Sequence, residues 1–157
     1  TAEILGTYGY QQYEISNYAK PGYMCRHNAG YWQRREYLGF GLGASSLYRE
    51  LRFSNTGRMQ EYLTDSGKLE QIRKEVTVLS RNEQIEEFMF LGLRMTEGIS
   101  EKLFKETFGV RIMDIYGDIL QKYEAIGFME HIETKWCLTR KGIHVSNHIL
   151  ADFLLDE

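Results

Sequence analysis

A succession of helix start and stop signals in the second half of the chain constrains the fold more than any other feature. Ser80-Arg81-Asn82-Glu83 matches a capping box, in which the serine hydroxyl and the glutamate carboxylate bind free main-chain amides at a helix start. Ser100 is placed to cap a second helix, and Gly109 is placed just beyond its end, where a left-handed residue is favoured. These signals predict helices over about 82–95 and 100–108.

The remaining residues of this half predict one more helix, a hairpin and a closing helix. Apolar residues recur at helical spacing over 112–125. Residues 128–133 and 135–139 are typical of two short strands that turn at Thr134. Thr139 is placed to cap a last helix that runs to Phe153. Three helices, a two-stranded wing and a closing helix predict a winged-helix-like module.

The charge distribution argues against a DNA-binding role for this module. Residues 1–80 carry a net charge of +2, whereas residues 81–157 carry −5. The third helix, where a winged helix reads DNA, carries Asp114, Asp118 and Glu124 against Lys122. Such a face repels phosphates, which supply most of the non-specific affinity for DNA. We therefore expect no nucleic-acid partner, and we expect the module to pack against another domain or protein.

Composition and cysteine usage indicate the cellular context. Apolar residues make up 43% of the chain and charged residues 26%, as in soluble globular proteins. Apolar runs fall short of the ~20 residues that cross a bilayer, and the chain does not open with a secretory pattern. Cys25 and Cys137 lie far apart, which does not suggest a disulfide framework or a CxxC knuckle. We expect a cytoplasmic protein, and the start at Thr1 leads us to expect a fragment of a longer one.

The first half of the chain resembles the end of a larger α/β arrangement. Residues 13–19 are typical of a strand, and residues 37–45 of a second, buried strand with a glycine-rich exit. Two strands without flanking helices cannot bury both faces of a sheet, so the other strands are expected elsewhere in the longer protein. The predicted domains are residues 1–80 and residues 81–157.

The segment around His27 contains the strongest candidate for a binding site. His27 and Asn28 are followed by Tyr31 and Trp32, and the glycine-rich segment comes soon after. Imidazole binds iron or zinc, aromatic rings offer flat apolar surface, and glycines allow close approach of the backbone. This combination favours a pocket for a flat cofactor. The alternative is a core histidine with aromatic neighbours.

Four segments, in this order, carry a resemblance to a known family. They are residues 14–22 (EISNYAKPG), residues 27–32 (HNxxYW), residues 38–44 (LGFGLGA) and residues 84–94 (QIEEFMFLGLR). Together they resemble the C-terminal part of the oxygen-independent coproporphyrinogen III oxidase-like radical SAM proteins. The HNxxYW signature resembles the heme chaperone (HemW) branch.

The resemblance implies an α/β fold: the last strands of an incomplete (β/α) barrel, followed by a mostly helical winged-helix-like domain. Members of the family hold a [4Fe–4S] cluster and S-adenosylmethionine, with the cluster bound by a CxxxCxxC loop. This sequence has no such loop, because neither Cys25 nor Cys137 has a second cysteine nearby. The chain alone is therefore not expected to be active, although the parent resembles a radical SAM oxidoreductase.

The resemblance also assigns roles to the signature. It implies that His27 binds the heme iron or a propionate, with Asn28 beside it and with Tyr31 and Trp32 lining the ring. The alternative is that His27 and Asn28 bind strand-end backbone while the aromatic residues fill the core. Cys25, just before the signature, is either a heme contact or a buried inert thiol.

A second set of residues is implied to lie near S-adenosylmethionine. Ala19 matches a position that contacts it through the backbone, and Met89 or Phe90 matches an apolar contact. Gly41 and Gly43 would let the last barrel strand pass close to the cofactor. For Ala19, Met89 and Phe90 the alternative is packing in the core.

Three functions remain open at this stage. The chain is part of a heme chaperone that passes heme to an acceptor protein, a class that includes membrane-associated acceptors; part of a coproporphyrinogen III oxidase; or a ligand-free interaction module. The first two also imply the missing N-terminal barrel as a partner. His144 and His148 stand four residues apart on the predicted last helix, but nothing is spaced to complete a metal site with them.

Overall fold

The computed structural model describes residues 1–155 of the chain, which form short strands between helices. The helices are α1 Ala2–Thr7, α2 Arg26–Trp32, α3 Met59–Asp65, α4 Leu69–Ile72, α5 Arg81–Gly92, α6 Glu101–Phe108, α7 Ile112–Ala125, α8 Arg140–His144 and α9 Ser146–Ala151. The strands are β1 Gln11–Gln12, β2 Tyr18–Ala19, β3 Ser45–Tyr48, β4 Leu51–Asn55, β5 Arg73–Val78, β6 Ile99–Ser100, β7 Met129–Ile132 and β8 Lys135–Leu138. The mixed α/β class is confirmed.

The chain forms two compact units, and residues 35–84 make up the smaller one. Its sheet is antiparallel with the order β3-β4-β5, and α3 and α4 lie in the connection between β4 and β5. Leu47, Phe53 and Ile72 are buried in this unit.

The larger unit contains residues 1–34 together with the residues from 85 onward. Its core is built from one face of each long helix and from the sheet of order β6-β8-β7. Its fully or nearly fully buried apolar side chains include Ile85, Met89, Leu93, Phe104, Ile112, Tyr116, Leu120, Met129, Trp136, Ile149 and Phe153. Burying one such side chain contributes about 1.5–3 kcal/mol, so this core is a major source of the unit's stability.

The capping signals of the second half are confirmed. Ser80 and Glu83 form a reciprocal box: the Ser80 amide donates to Glu83 Oε2 at 2.7 Å, and the Glu83 amide donates to Ser80 Oγ at 3.3 Å. These bonds hold the pKa of Glu83 below its usual value. Ser100 caps α6, and Gly109 ends it in the left-handed conformation with φ +72°. Helix α7 has the predicted bounds.

The hairpin of β7 and β8 is also confirmed, but the predicted last helix is divided in two. Thr139 caps α8 by accepting from the Gly142 amide, and its own hydroxyl donates to the Gly127 carbonyl at 2.8 Å. A Cβ on Gly142 would lie 1.9 Å from the Phe128 carbonyl oxygen, so this close approach requires glycine. The chain leaves helical geometry at Val145 and resumes as α9.

Two side chains of α7 hold the segment after α9. Lys122 Nζ and Tyr123 Oη both donate to Asp152 Oδ2 at 2.7 Å, which keeps the pKa of the Asp152 carboxyl below its usual value. The buried Tyr116 hydroxyl donates to the Phe153 carbonyl at 3.0 Å. These bonds fix the chain beyond α9 against the core.

The predicted strand over 13–19 is wrong for most of its length, because residues 13–17 form a tight turn. Tyr18 and Ala19 alone belong to a strand, β2, which pairs with Gln12 and Gln11, and Glu14 makes an isolated bridge to Met95. The Tyr13 amide donates to the Asn17 carbonyl, and the Ser16 amide donates to Glu14 Oε1 at 2.8 Å. The buried Glu14 carboxylate therefore closes a turn that an alternating sequence pattern does not reveal.

The predicted buried strand over 37–45 is also wrong. Tyr37 makes an isolated bridge to Leu47, and β3 begins only at Ser45. Gly41 and Gly43 have φ of +106° and +66°, which an extended strand excludes. As a result, Phe40 is 88% exposed. The division at residue 80 and the barrel and winged-helix assignments stay predictions.

Candidate functional site

The HNxxYW signature lies on helix α2 and not at a strand end. Its spacing places His27 with Tyr31 and Asn28 with Trp32, each four residues apart, on two adjacent stripes of the helix. Cys25 stands at the N-cap without a side-chain capping bond, and Gly30 lies inside the helix. Neither is a usual helix signal, which explains why local rules did not predict α2.

The first stripe is open to solvent. His27 is exposed, and its ring meets the half-buried Tyr31 ring edge to face, with centroids 4.7 Å apart and an interplanar angle of 80°. In this chain the imidazole is therefore accessible to a ligand. Tyr31 limits the orientations that the imidazole can take.

Trp32, on the second stripe, lies against a partly buried polar cluster that the sequence did not predict. The Arg94 guanidinium carbon lies 4.3 Å from the Trp32 ring centroid, and Arg94 Nη2 lies 3.7 Å from Glu14 Oε2. A second ion pair joins Arg34 Nε to Glu87 Oε2 at 3.0 Å, with side chains 9% and 7% exposed. Glu87 lies between the buried residues Ile85 and Met89 of α5, and this position could have indicated a buried charge. The sequence gives no such indication that Arg34 is its partner.

Ala19 lines a cleft of about 300 Å³ in the same unit. Met24 and Met95 are among its apolar lining residues, and Lys20 and Glu97 contribute one charge of each sign. The cleft thus has an apolar part and both a cationic and an anionic side chain. Its backbone is fixed by the pairing of Gln11 with Ala19.

The other residues expected near S-adenosylmethionine are not gathered at this cleft. Met89 is fully buried in the core, which fits the packing alternative, and Phe90 is half-buried on α5. Gly41 and Gly43 belong to the smaller unit, where the Gly41 carbonyl accepts from Asn55 Nδ2 at 2.9 Å and Gly43 donates to the Thr56 carbonyl. In that unit Gly41 borders a separate cleft of about 230 Å³.

The remaining histidines do not assemble a metal site. His144 ends α8 and His148 lies in α9, so the single helix that would align them is absent. His131 stacks on Trp136, and its Nε2 lies 3.1 Å from Glu101 Oε1. Within residues 1–155 no group of three His, Cys, Asp or Glu side chains is arranged to hold a metal ion.

The two cysteines differ in environment. Cys25 is exposed, so the expectation of a buried thiol is wrong there. Cys137 is buried, its Sγ–H donates to the Glu97 carbonyl at 3.3 Å, and burial raises its pKa. The thiolate is the reactive form of cysteine, and it is disfavoured at Cys137.

We therefore expect iodoacetamide to label Cys25 alone in the folded chain at pH 8. Mass spectrometry of tryptic peptides would locate the label, with the Cys25→Ser variant as the control. Cys137 should react only after denaturant is added. Labelling of Cys137 in the folded chain at a rate similar to Cys25 would contradict the buried environment described for it.

Comparison with known proteins identifies the family. Residues 79–145 match the family model described as the HemN C-terminal domain. The heme chaperone HemW of Lactococcus lactis is 35% identical over 155 residues, which are 99% of this chain and 40% of that protein. The chain belongs to the HemN and HemW family. The heme chaperones HemW of Bacillus subtilis and Escherichia coli are 35% and 30% identical, over 96% and 98% of the chain.

A solved structure supports the fold. The radical SAM enzyme coproporphyrinogen III oxidase (HemN) from Escherichia coli matches 97% of this chain and 38% of its own length, with a TM-score of 0.73 and 16% identity. At that identity the similarity concerns the fold alone. The chain spans about 40% of the length of the HemW relatives that it matches. Within residues 1–155, no helix is both long and apolar enough to cross a membrane.

Proposed function

We propose that this chain is the C-terminal portion of a heme chaperone of the HemW type, which binds heme and transfers it to an acceptor protein. The similarity to heme chaperones over nearly the whole chain carries the proposal, together with the exposed His27 on an aromatic helix. In this proposal residues 1–80 complete a radical SAM barrel, and residues 81–157 are a winged-helix-like domain.

The residues of α2 suit heme as cargo. Imidazole is a common axial ligand of heme iron, and His27 is exposed on the first turn of the helix. Tyr31 and Trp32 offer aromatic surface for the porphyrin plane, while Asn28 adds an amide on the neighbouring stripe. We assign His27 as the iron ligand, since the ring is accessible and held by its edge-to-face contact with Tyr31.

S-adenosylmethionine and the [4Fe–4S] cluster belong to the complete protein in this proposal. Ala19 would contact S-adenosylmethionine through the backbone that lines the 300 Å³ cleft. The two cysteines of this chain are not spaced to form the cluster loop. The proposed partners are the N-terminal barrel and the protein that accepts heme.

Oxidation of coproporphyrinogen III is the second candidate function. It is favoured by the match of residues 79–145 to the HemN C-terminal domain and by the fold similarity to HemN. The two candidates differ in product: one releases bound heme unchanged to a protein, and the other removes two carboxyl groups from a porphyrinogen. Incubating the complete protein with heme or with coproporphyrinogen III under anaerobic conditions, and identifying the product, distinguishes the two candidate functions.

The heme proposal predicts a specific loss in the complete protein carrying His27→Ala. Heme titration followed at the Soret band should show affinity at least tenfold weaker, about 1.4 kcal/mol or more, because an axial bond is removed. His148→Ala, on α9, is the control and should bind as the unmodified protein does. Unchanged heme affinity in His27→Ala, with normal thermal unfolding, would contradict the assignment.

A further inference from the structure

The position of Trp32 depends on the side chain of Arg94. Trp32 is the last residue of α2, and Arg94 comes two residues after the end of α5. The guanidinium carbon lies 4.3 Å from the ring centroid, within the range of a cation–π contact. The buried Trp32 Nε1–H has no hydrogen-bond partner within residues 1–155. The orientation of the indole is therefore set by packing and by the guanidinium, not by a hydrogen bond of its own.

Arg94 forms an ion pair with a buried carboxylate. Glu14 is completely buried, and its Oε2 lies 3.7 Å from Arg94 Nη2. The other carboxylate oxygen accepts from the Ser16 amide, and the Arg94 carbonyl accepts from the Ile15 amide at 3.0 Å. Both the side chain and the main chain of Arg94 are thus attached to the turn at residues 14–16. The guanidinium is thus paired with Glu14 while it lies over the Trp32 ring.

A neighbouring ion pair provides a comparison. Arg34 lies two residues beyond Trp32, and its Nε donates to Glu87 Oε2 on α5 at 3.0 Å. This pair also anchors the chain at the end of α2, and its arginine is 9% exposed, against 25% for Arg94. Its contact fixes the backbone after the helix, whereas Arg94 lies against a side chain of the signature itself. The two arginines therefore allow the anchoring of α2 to be separated from the orientation of Trp32.

We propose that Arg94 is a positioning residue, held by Glu14, that orients Trp32 for contact with a planar ligand. This inference rests on the proposed function, in which that ligand is heme. The guanidinium covers part of the indole and leaves the remaining surface of this half-buried side chain for the ligand. Lysine cannot replace arginine here, because an ammonium is a compact point charge without a planar face.

Arg94→Lys tests this role and keeps a cation beside Glu14. In the 157-residue chain without heme, the nitrogen–proton spectrum should show two indole signals, since the sequence has two tryptophans. Trp32→Phe identifies the Trp32 signal. Arg94→Lys should shift that signal and leave the signal of Trp136, whose Nε1 donates to Glu101, unchanged. Arg34→Lys is the matched control and should leave both signals in place.

In the complete protein, Arg94→Lys should weaken heme binding about tenfold, and Arg34→Lys should not. In a Trp32→Leu background, Arg94→Lys should cause no additional loss, because the two residues act through one contact. Heme affinity that depends on His27 and Trp32 but is unchanged by Arg94→Lys would overturn this inference alone. Affinity that is independent of His27 would overturn the proposed function. A Trp32 signal that is unmoved by Arg94→Lys would also overturn the positioning role.

Discussion

Replacing Glu87 by leucine is expected to destabilise the larger unit by about 3–5 kcal/mol. Glu87 Oε2 accepts from Arg34 Nε at 3.0 Å, and the two side chains are only 7% and 9% exposed. The substitution removes this carboxylate from beside the guanidinium in a shielded environment, so the loss of solvation of the guanidinium is compensated less well. Denaturation by urea, followed by circular dichroism, measures the change in the free energy of unfolding.

Two further variants control for the change in side chain. Glu106→Leu removes the carboxylate of a solvent-exposed pair with Lys102 on α6, and should cost less than about 1 kcal/mol. The double variant Arg34→Leu/Glu87→Leu should recover part of the loss, because it leaves no buried charge from this pair. A cost for Glu87→Leu as small as that for Glu106→Leu would show that the pair is not shielded in solution.

Gly98→Ala is expected to cost about 3 kcal/mol or more. Gly98 has φ +68°, and a Cβ there would lie 2.1 Å from the Trp136 carbonyl oxygen and 2.6 Å from Cys137 Sγ. The left-handed conformation costs roughly 1–2 kcal/mol for an L-residue, and overpacking adds about 1–3 kcal/mol. The added methyl group would push β6 away from β8, where Ile99 pairs with Trp136.

Gly109→Ala separates the two contributions. Gly109 has φ +72°, nearly the same conformation, but a Cβ there would have no atom within 4 Å. This variant should therefore lose only the conformational part, about 1–2 kcal/mol. Equal losses in the two variants, measured by urea denaturation, would contradict the close approach of Gly98 to β8.

The elements predicted correctly are those whose signals are local. The Ser80–Glu83 box, the Ser100 cap and Gly109 act through bonds within a few residues, so the sequence contains the whole interaction. The β7–β8 hairpin likewise pairs residues that are close along the chain. Strand β6 escaped prediction because its partner, β8, lies some 35 residues further on and no local pattern marks it.

The errors in the first half arise from distant or unusual interactions. The turn at residues 13–17 depends on the Glu14 carboxylate, which is buried beside Arg94, far along the chain. Residues 38–44 have the apolar content of a buried strand, but two glycines with positive φ prevent extension.

The candidate site was also predicted only as far as local sequence signals reach. The residues of the HNxxYW signature could be singled out by their chemistry, since imidazole and aromatic rings are recognisable in any fold. Their placement on a helix could not be predicted, because Cys25 and Gly30 are poor helix signals. The sequence also could not show that Arg94 lies against Trp32, because this contact joins segments about 60 residues apart.

Pulsed electron paramagnetic resonance of the ferric heme complex tests the central claim, that His27 binds heme iron, most directly. The complete protein is labelled with nitrogen-15 histidine and compared with the same protein carrying His27→Ala. The account predicts a nitrogen-15 coupling from an axial imidazole that disappears in the His27→Ala variant and persists in His148→Ala. A coupling that survives in His27→Ala, or one that never appears in the unmodified protein, would contradict it.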